Sequence, residues 1–217
     1  MNDALRHELC RVGASLFARG YVHATAGNLS ARIEGGYLIT PTDACLGVLD
    51  PAQLAFVDDT GVQHGGARAS KTLALHRAIY AAAPEARCVI HSHSTHLVAL
   101  SLAGVWSAAD VLPPITPYYV MKVGHVPLID YRRPGDPAAA AAVVQAIAAR
   151  HALGTPIRAV LLERLGPVVW HASPAAAMAV LEELEETARL WLMTNPKPTP
   201  LDEPQLAELR AQFGAAW

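Results

Sequence analysis

The chain has 217 residues, a formal charge of −2, and 17% charged against 52% hydrophobic residues. That length carries one substantial core, while the near-neutral balance, the lack of a basic stripe and the lack of any apolar run of roughly 18 residues count against nucleic-acid binding and a membrane span. So little charge predicts a surface with apolar faces buried between the subunits of a homo-oligomer.

The start, Met1-Asn2-Asp3-Ala4, has no signal-peptide pattern, which predicts a cytoplasmic protein. Leu5, Leu9, Val12 and Leu16 recur at helical spacing, so a half-buried helix is expected from near Asp3 to Gly20. The small-residue loop Thr25-Ala26-Gly27-Asn28-Leu29-Ser30 then enters a strand, and Glu34-Gly35-Gly36 turns it back into Tyr37-Leu38-Ile39-Thr40. Asp50-Pro51 opens a short turn, and Asp59-Thr60-Gly61 marks a second hairpin. Ser70 reads as the N-cap of a helix through Leu73, Leu75, His76, Ile79 and Tyr80 that ends at Pro84; its free amides, with Lys71, predict an anion site. Cys10, Cys45 and Cys88 show no Cys-x-x-Cys spacing and read as thiols in or near the core.

Further along, a short helical region is expected from Thr95 to Leu102. The stretch from Val111 to Val126, with Pro113-Pro114, Pro117, Tyr118-Tyr119, Met121 and Lys122, has no sustained period and reads as a site wall or subunit contact. Asp136-Pro137 caps a helix to Arg150, Arg158 to Leu162 is a buried strand, Gly166-Pro167 a turn and Val168-Val169-Trp170 a returning strand. Ser173-Pro174 starts a long helix through Leu192, with Glu185 placed to pair with Arg189, and residues 198–217 form a tail helix after a proline-rich linker. The pattern predicts an α/β chain, a single three-layer α/β/α domain over 1–217.

The segment Val89-Ile90-His91-Ser92-His93-Ser94-Thr95-His96 carries the chemistry. On a strand, residues two apart point the same way, so His91 and His93 aim two imidazoles at one point. Neutral imidazole suits zinc, iron and nickel, but two ligands do not close a site. The bland alternative is a pair of polar residues at a strand end.

Gly27-Asn28-Leu29-Ser30, Ile39-Thr40-Pro41-Thr42-Asp43, Ser70-Lys71 with Leu75-His76, His91-Ser92-His93, Thr116-Pro117-Tyr118-Tyr119, Arg133-Pro134-Gly135-Asp136-Pro137 and Gly166-Pro167-Val168-Val169 together resemble the class II aldolase/adducin family, nearest its branch of 3-oxo-tetronate 4-phosphate decarboxylases. The resemblance covers nearly the whole chain. It implies an α/β/α domain with a mostly antiparallel central sheet, assembled as a homotetramer with sites between neighbours. A divalent metal, zinc by family habit, would polarise a substrate carbonyl. It implies His91 and His93 as metal ligands and Asn28, Thr42, Ser70 and Lys71 as the phosphate and substrate pocket. Read from the residues themselves, Lys71 at a helix start and the phenol of Tyr119 are candidates to offset developing charge, the plainer reading of Tyr119 being wall and packing.

Two positions depart from the family pattern. Its acid/base glutamate falls at Thr72, and its third metal-binding histidine falls at Leu165, in Arg164-Leu165-Gly166. Threonine carries no proton near neutral pH and leucine offers no lone pair. Glu163, two residues before Leu165 and of the same strand parity, is the first replacement ligand to consider, ahead of His76, His96 and His125. The readings are then a decarboxylase or related lyase acting on a phosphorylated sugar acid, a remodelled metal-dependent isomerase, dehydratase or oxygenase, or a non-catalytic scaffold that binds a ligand or partner.

Overall fold

The computed structural model describes residues 2–217; Met1, on which the expected single domain over 1–217 and the reading of the N-terminal Met1-Asn2-Asp3-Ala4 begin, lies outside them. Eight strands form one sheet: β1 (Asn28–Ile33), β2 (Gly36–Ile39), β3 (Ala55–Asp58), β4 (Gln63–Gly65), β5 (Cys88–His91), β6 (Leu128–Ile129), β7 (Ala159–Leu162) and β8 (Gly166–His171). Their order is β4-β3-β2-β1-β5-β8-β7-β6, antiparallel except where β6 runs parallel to β7. The helices are α1 (Asp3–Ala18), α2 (Leu73–Ala82), α3 (Thr95–Ala103), α4 (Pro137–Ala152), α5 (Pro174–Met193) and α6 (Glu203–Phe213). Among the described residues no helix is long and apolar enough to cross a membrane.

Strand alternation divides the core between two layers. Leu29, Ala31, Cys88, Ile90, Leu161 and Val169 pack under α1, α3 and α5, while Val89, Val160, Leu162, Val168 and Trp170 pack under α2 and α4. The result is the expected α/β/α sandwich with a mostly antiparallel sheet. Each fully buried Leu, Ile or Val contributes roughly 1.5–3 kcal/mol, so both faces of the central strands are strongly specified.

Four local expectations are corrected. The helix after Ser70 begins at Leu73, with Thr72 at its cap position and no side-chain cap; the Ser70 hydroxyl instead lies 2.8 Å from that of Thr72. Gly166-Pro167 belongs to β8, and the reversal is made by 163–165, where Arg164 has φ 63° and the Leu165 N–H donates to the Leu162 carbonyl. The segment from Val111 to Val126 contains a π-helical turn, Tyr119–Val123, against which α6 packs. Glu185 does not pair with Arg189: it is buried and accepts the N–H groups of His96 and Leu97 at the start of α3, leaving Arg189 to Glu186.

Candidate active site

On the α2/α4 side of the sheet, at the ends of β1 and β5, lies a cavity of about 240 Å³. Register explains its floor. Asn28 pairs directly with His91 across β1 and β5, and both stand on the same face as Val89 and Ser30, the face covered by α2. His93 follows one residue beyond the ladder, and its ring centre is 4.9 Å from that of His91. Two imidazoles bound to one zinc at about 2.0–2.1 Å, with tetrahedral angles, place their ring centres about 5 Å apart, so the pair has a ligand spacing.

The electrostatics favour neutral imidazoles, the form that binds metal. Burial first, then the neighbouring His93, pushes His91 down to about 4, against a partial upward pull from the Pro167 carbonyl. His93 is lowered by burial and by His23 beside it. His91 Nδ1 lies 2.9 Å from the Pro167 carbonyl oxygen, so Nδ1 carries the hydrogen and donates it, leaving the Nε2 lone pair free. Beside the pair, the buried Oδ1 of Asn28 has no hydrogen-bond partner within the chain. A buried acceptor left alone costs about 1–3 kcal/mol, which suits an atom reserved for a ligand. Below them the Ser30 hydroxyl lies 2.7 Å from His76 Nδ1 and 2.8 Å from the Tyr80 hydroxyl, and burial holds His76 near 3.

Lys71, Thr72, Leu75, Asp130, Arg132 and Arg133 line the remaining wall, with Ile129, Leu162, Glu163 and Leu165 closing the apolar side. Of the sequence-predicted residues, Asn28, Lys71, His91, His93 and Glu163 meet here; Thr42, Ser70 and Tyr119 do not line the cavity. Thr42 and Ser70 stand behind the Lys71 end, where the Thr42 N–H donates to the Arg68 carbonyl and the Ser70 N–H to the Thr40 carbonyl. Tyr119 is a fully buried core residue, packed edge-on to Trp217, with its hydroxyl unpartnered and its pKa raised by burial. The parity argument for Glu163 fails because it and Leu165 sit in a turn, not a strand. Glu163 accepts the Tyr131 N–H at 2.9 Å and lies 3.7 Å from Arg164.

Among the described residues no three His, Cys, Asp or Glu side chains are grouped to hold an ion. The donor chemistry of His91 and His93 fits a divalent metal for two positions, and Leu165 on the same cavity wall offers no lone pair for a third. His96 and His125 are engaged by Glu185 and Asp110, and His76 faces Ser30. Sequence reasoning missed Arg132 and Arg133 as cavity residues; the signal was the Arg-Pro-Gly-Asp-Pro run, whose Asp136 was read only as a helix cap.

The sequence profile of the Class II Aldolase and Adducin N-terminal domain matches residues 7–192, and the chain belongs to that family. It is 57% identical over 218 residues to the 3-oxo-tetronate 4-phosphate decarboxylase of Cupriavidus necator, covering 98% of this chain and 97% of that one. The protein of that name from Escherichia coli K12 is 39% identical, with 97% of each covered. A crystal structure of YgbL from Escherichia coli superposes with TM-score 0.87 at 40% identity, covering 96% of this chain and 99% of that one.

Proposed function

We propose that the protein is a lyase that decarboxylates a phosphorylated 3-oxo sugar acid of the 3-oxo-tetronate 4-phosphate class. The observation that carries the reading is one cavity that joins a neutral imidazole pair and a buried unpaired amide oxygen to Lys71, Arg132 and Arg133. The substrate class comes from the named activity of the 57% identical relative.

His91 and His93 would hold a divalent ion, zinc by donor type, which when bound would supply polarisation of the 3-oxo group. The chain's own residues do the rest. Lys71 at the α2 end binds the phosphate, in front of Thr42 and Ser70, and Arg132 and Arg133 at the mouth hold the outer anionic groups by charge-assisted bonds. Asn28 accepts a substrate hydroxyl at Oδ1. The carboxylate lies against Leu75, Leu162 and Leu165, where it is poorly solvated, and loss of carbon dioxide relieves that cost as its bonding electrons move toward the 3-oxo group. The carbon left behind takes its proton from water. Decarboxylation needs no base to open the reaction, so Thr72 in place of a carboxylate is compatible with it, whereas a reaction begun by C–H deprotonation is not.

The protein acts in the cytoplasm as a homotetramer. Three free cysteines suit a reducing compartment, and the exposed Leu102, Trp106, Tyr118 and Met193 supply apolar surface for subunit contacts. A second reading, a scaffold that binds the sugar acid without turning it over, is favoured by Leu165 at the third ligand position. Carbon dioxide release by the natural protein and by a Thr72→Glu/Leu165→His variant separates the two. The decarboxylase reading expects turnover by the natural protein; activity confined to the double variant overturns it.

A further inference from the structure

At the end of the sheet away from the imidazole pair, a groove runs between the ends of α2 and α4. Its apolar part, about 430 Å³, is walled by Ala82, Ala83, Val144, Ile147 and Ala148. Its polar part, about 350 Å³, is walled by Arg158, Trp170 and His171, while Glu85, His151, Pro156 and Ile157 border both parts. We propose that this groove binds a small monocarboxylic acid, with the carboxylate on Arg158 and a short apolar chain between α2 and α4. None of these residues lines the imidazole cavity. His171 pairs with Cys88, at the far end of β5 from His91 and about 10 Å away along the strand.

Arg158 stands just before β7 and is half-buried. Among the described residues its guanidinium has no hydrogen-bond partner and no carboxylate in ion-pair contact, and burial pushes its pKa down against a partial upward pull from Glu85. A half-buried cation without a close counterion is costly, and a planar carboxylate meets a guanidinium through two parallel charge-assisted bonds. Two more donors belong to the same wall. The indole N–H of Trp170, a residue 1% exposed, has no acceptor in the chain. The Ala172 N–H donates to His171 Nδ1 at 2.8 Å, which leaves the hydrogen of the neutral ring on Nε2. Glu85 limits the charge of the ligand: it borders both parts of the groove, so a dianion such as phosphate meets a like charge there. The small side chains of Ala82, Ala83 and Ala148 leave the room that an apolar chain fills, and each methylene buried against Val144 and Ile147 adds affinity.

Calorimetric titration of the full chain with hexanoate tests the assignment without reference to turnover. One molecule per chain should bind with a Kd of about 1 mM or tighter, an ordinary efficiency for a ligand of that size. Inorganic phosphate and hexan-1-ol, which lack the chain and the charge respectively, should bind at least about 10-fold more weakly. Arg158→Gln should weaken hexanoate by about 10-fold or more, and Ala148→Phe, at an exposed position, should do the same by filling the apolar part, both with unchanged circular dichroism spectra. Arg132→Ala should leave the affinity as it is, because that side chain belongs to the imidazole cavity. No saturable binding of hexanoate, phosphate bound as tightly, or full affinity in Arg158→Gln would overturn the proposal. Affinity lost in Arg132→Ala and kept in Arg158→Gln would overturn it by moving the acid to the imidazole cavity. Where Arg158→Gln disturbs the fold, full affinity in Ala148→Phe overturns the proposal by itself.

Discussion

The floor of the cavity and its mouth are made from different kinds of backbone: Asn28 and His91 stand opposite each other on paired strands, while Lys71, Arg132 and Arg133 hang from turns. The floor is buried, its imidazoles held neutral, and its positions are fixed by ladder hydrogen bonds and by packing on both faces of the sheet. The mouth is exposed; Arg132 bonds its neighbour's carbonyl and Arg133 lies 3.9 Å from Asp136. The floor should therefore set the rate of bond breaking and the mouth should set how tightly substrate is held.

The sharpest break of that contrast is at the floor. His91→Ala should lower kcat/KM for carbon dioxide release by about 1,000-fold or more, mostly in kcat, because the polarising charge acts most strongly as the bond breaks. Steady-state kinetics on the zinc-loaded protein check it. Next comes Gly166→Ala. Gly166 has φ 124°, and a Cβ there would collide with the Ser92 carbonyl between the two histidines. The variant should lose about 2–4 kcal/mol in urea unfolding and lose zinc affinity with it.

The floor also carries a pH signature. His76 is depressed to about 3 by burial, below its unfolded value of about 6.5, so the unfolded chain binds the proton first. Its contribution is complete above pH 6.5 and is lost as pH falls toward 3. Between pH 6.5 and 5 this should cost about 2 kcal/mol, read by urea unfolding at the two pH values, and His76→Gln should remove that part of the slope. The smallest effect belongs to the mouth. Arg132→Ala or Arg133→Ala should each raise KM about 10-fold with kcat nearly unchanged, since exposed cations act through binding. A kcat loss at the mouth equal to that at the floor would erase the distinction.

The same contrast explains what the sequence made legible. The hydrophobic period located β1, β5, β7 and α5, and the two-residue spacing of His91 and His93 gave their common face. Turns carry no such period. The reversal at 163–165 was placed two residues late because Gly166 needs its conformation for close approach to Ser92, not for turning, and the error carried the parity argument for Glu163 with it. Ser70 looked like a cap because hydroxyls favour that position, yet its partner is the hydroxyl of Thr72. Tyr119 was a site candidate for its phenol, but the π-helical turn directs it into the core against Trp217. Glu185 shows the limit of helical-spacing rules: Arg189 is four residues on, but the open amides of α3 are stronger partners for a buried carboxylate.

The most direct measurement follows the carboxylate carbon. With 3-oxo-tetronate 4-phosphate labelled with carbon-13 at C1, the zinc-loaded natural protein should transfer the label to carbon dioxide and bicarbonate in step with formation of a three-carbon ketone phosphate, and His91→Ala should leave it in the substrate. Label retained in an organic acid while the natural protein consumes the substrate, or equal release by His91→Ala, would contradict the account.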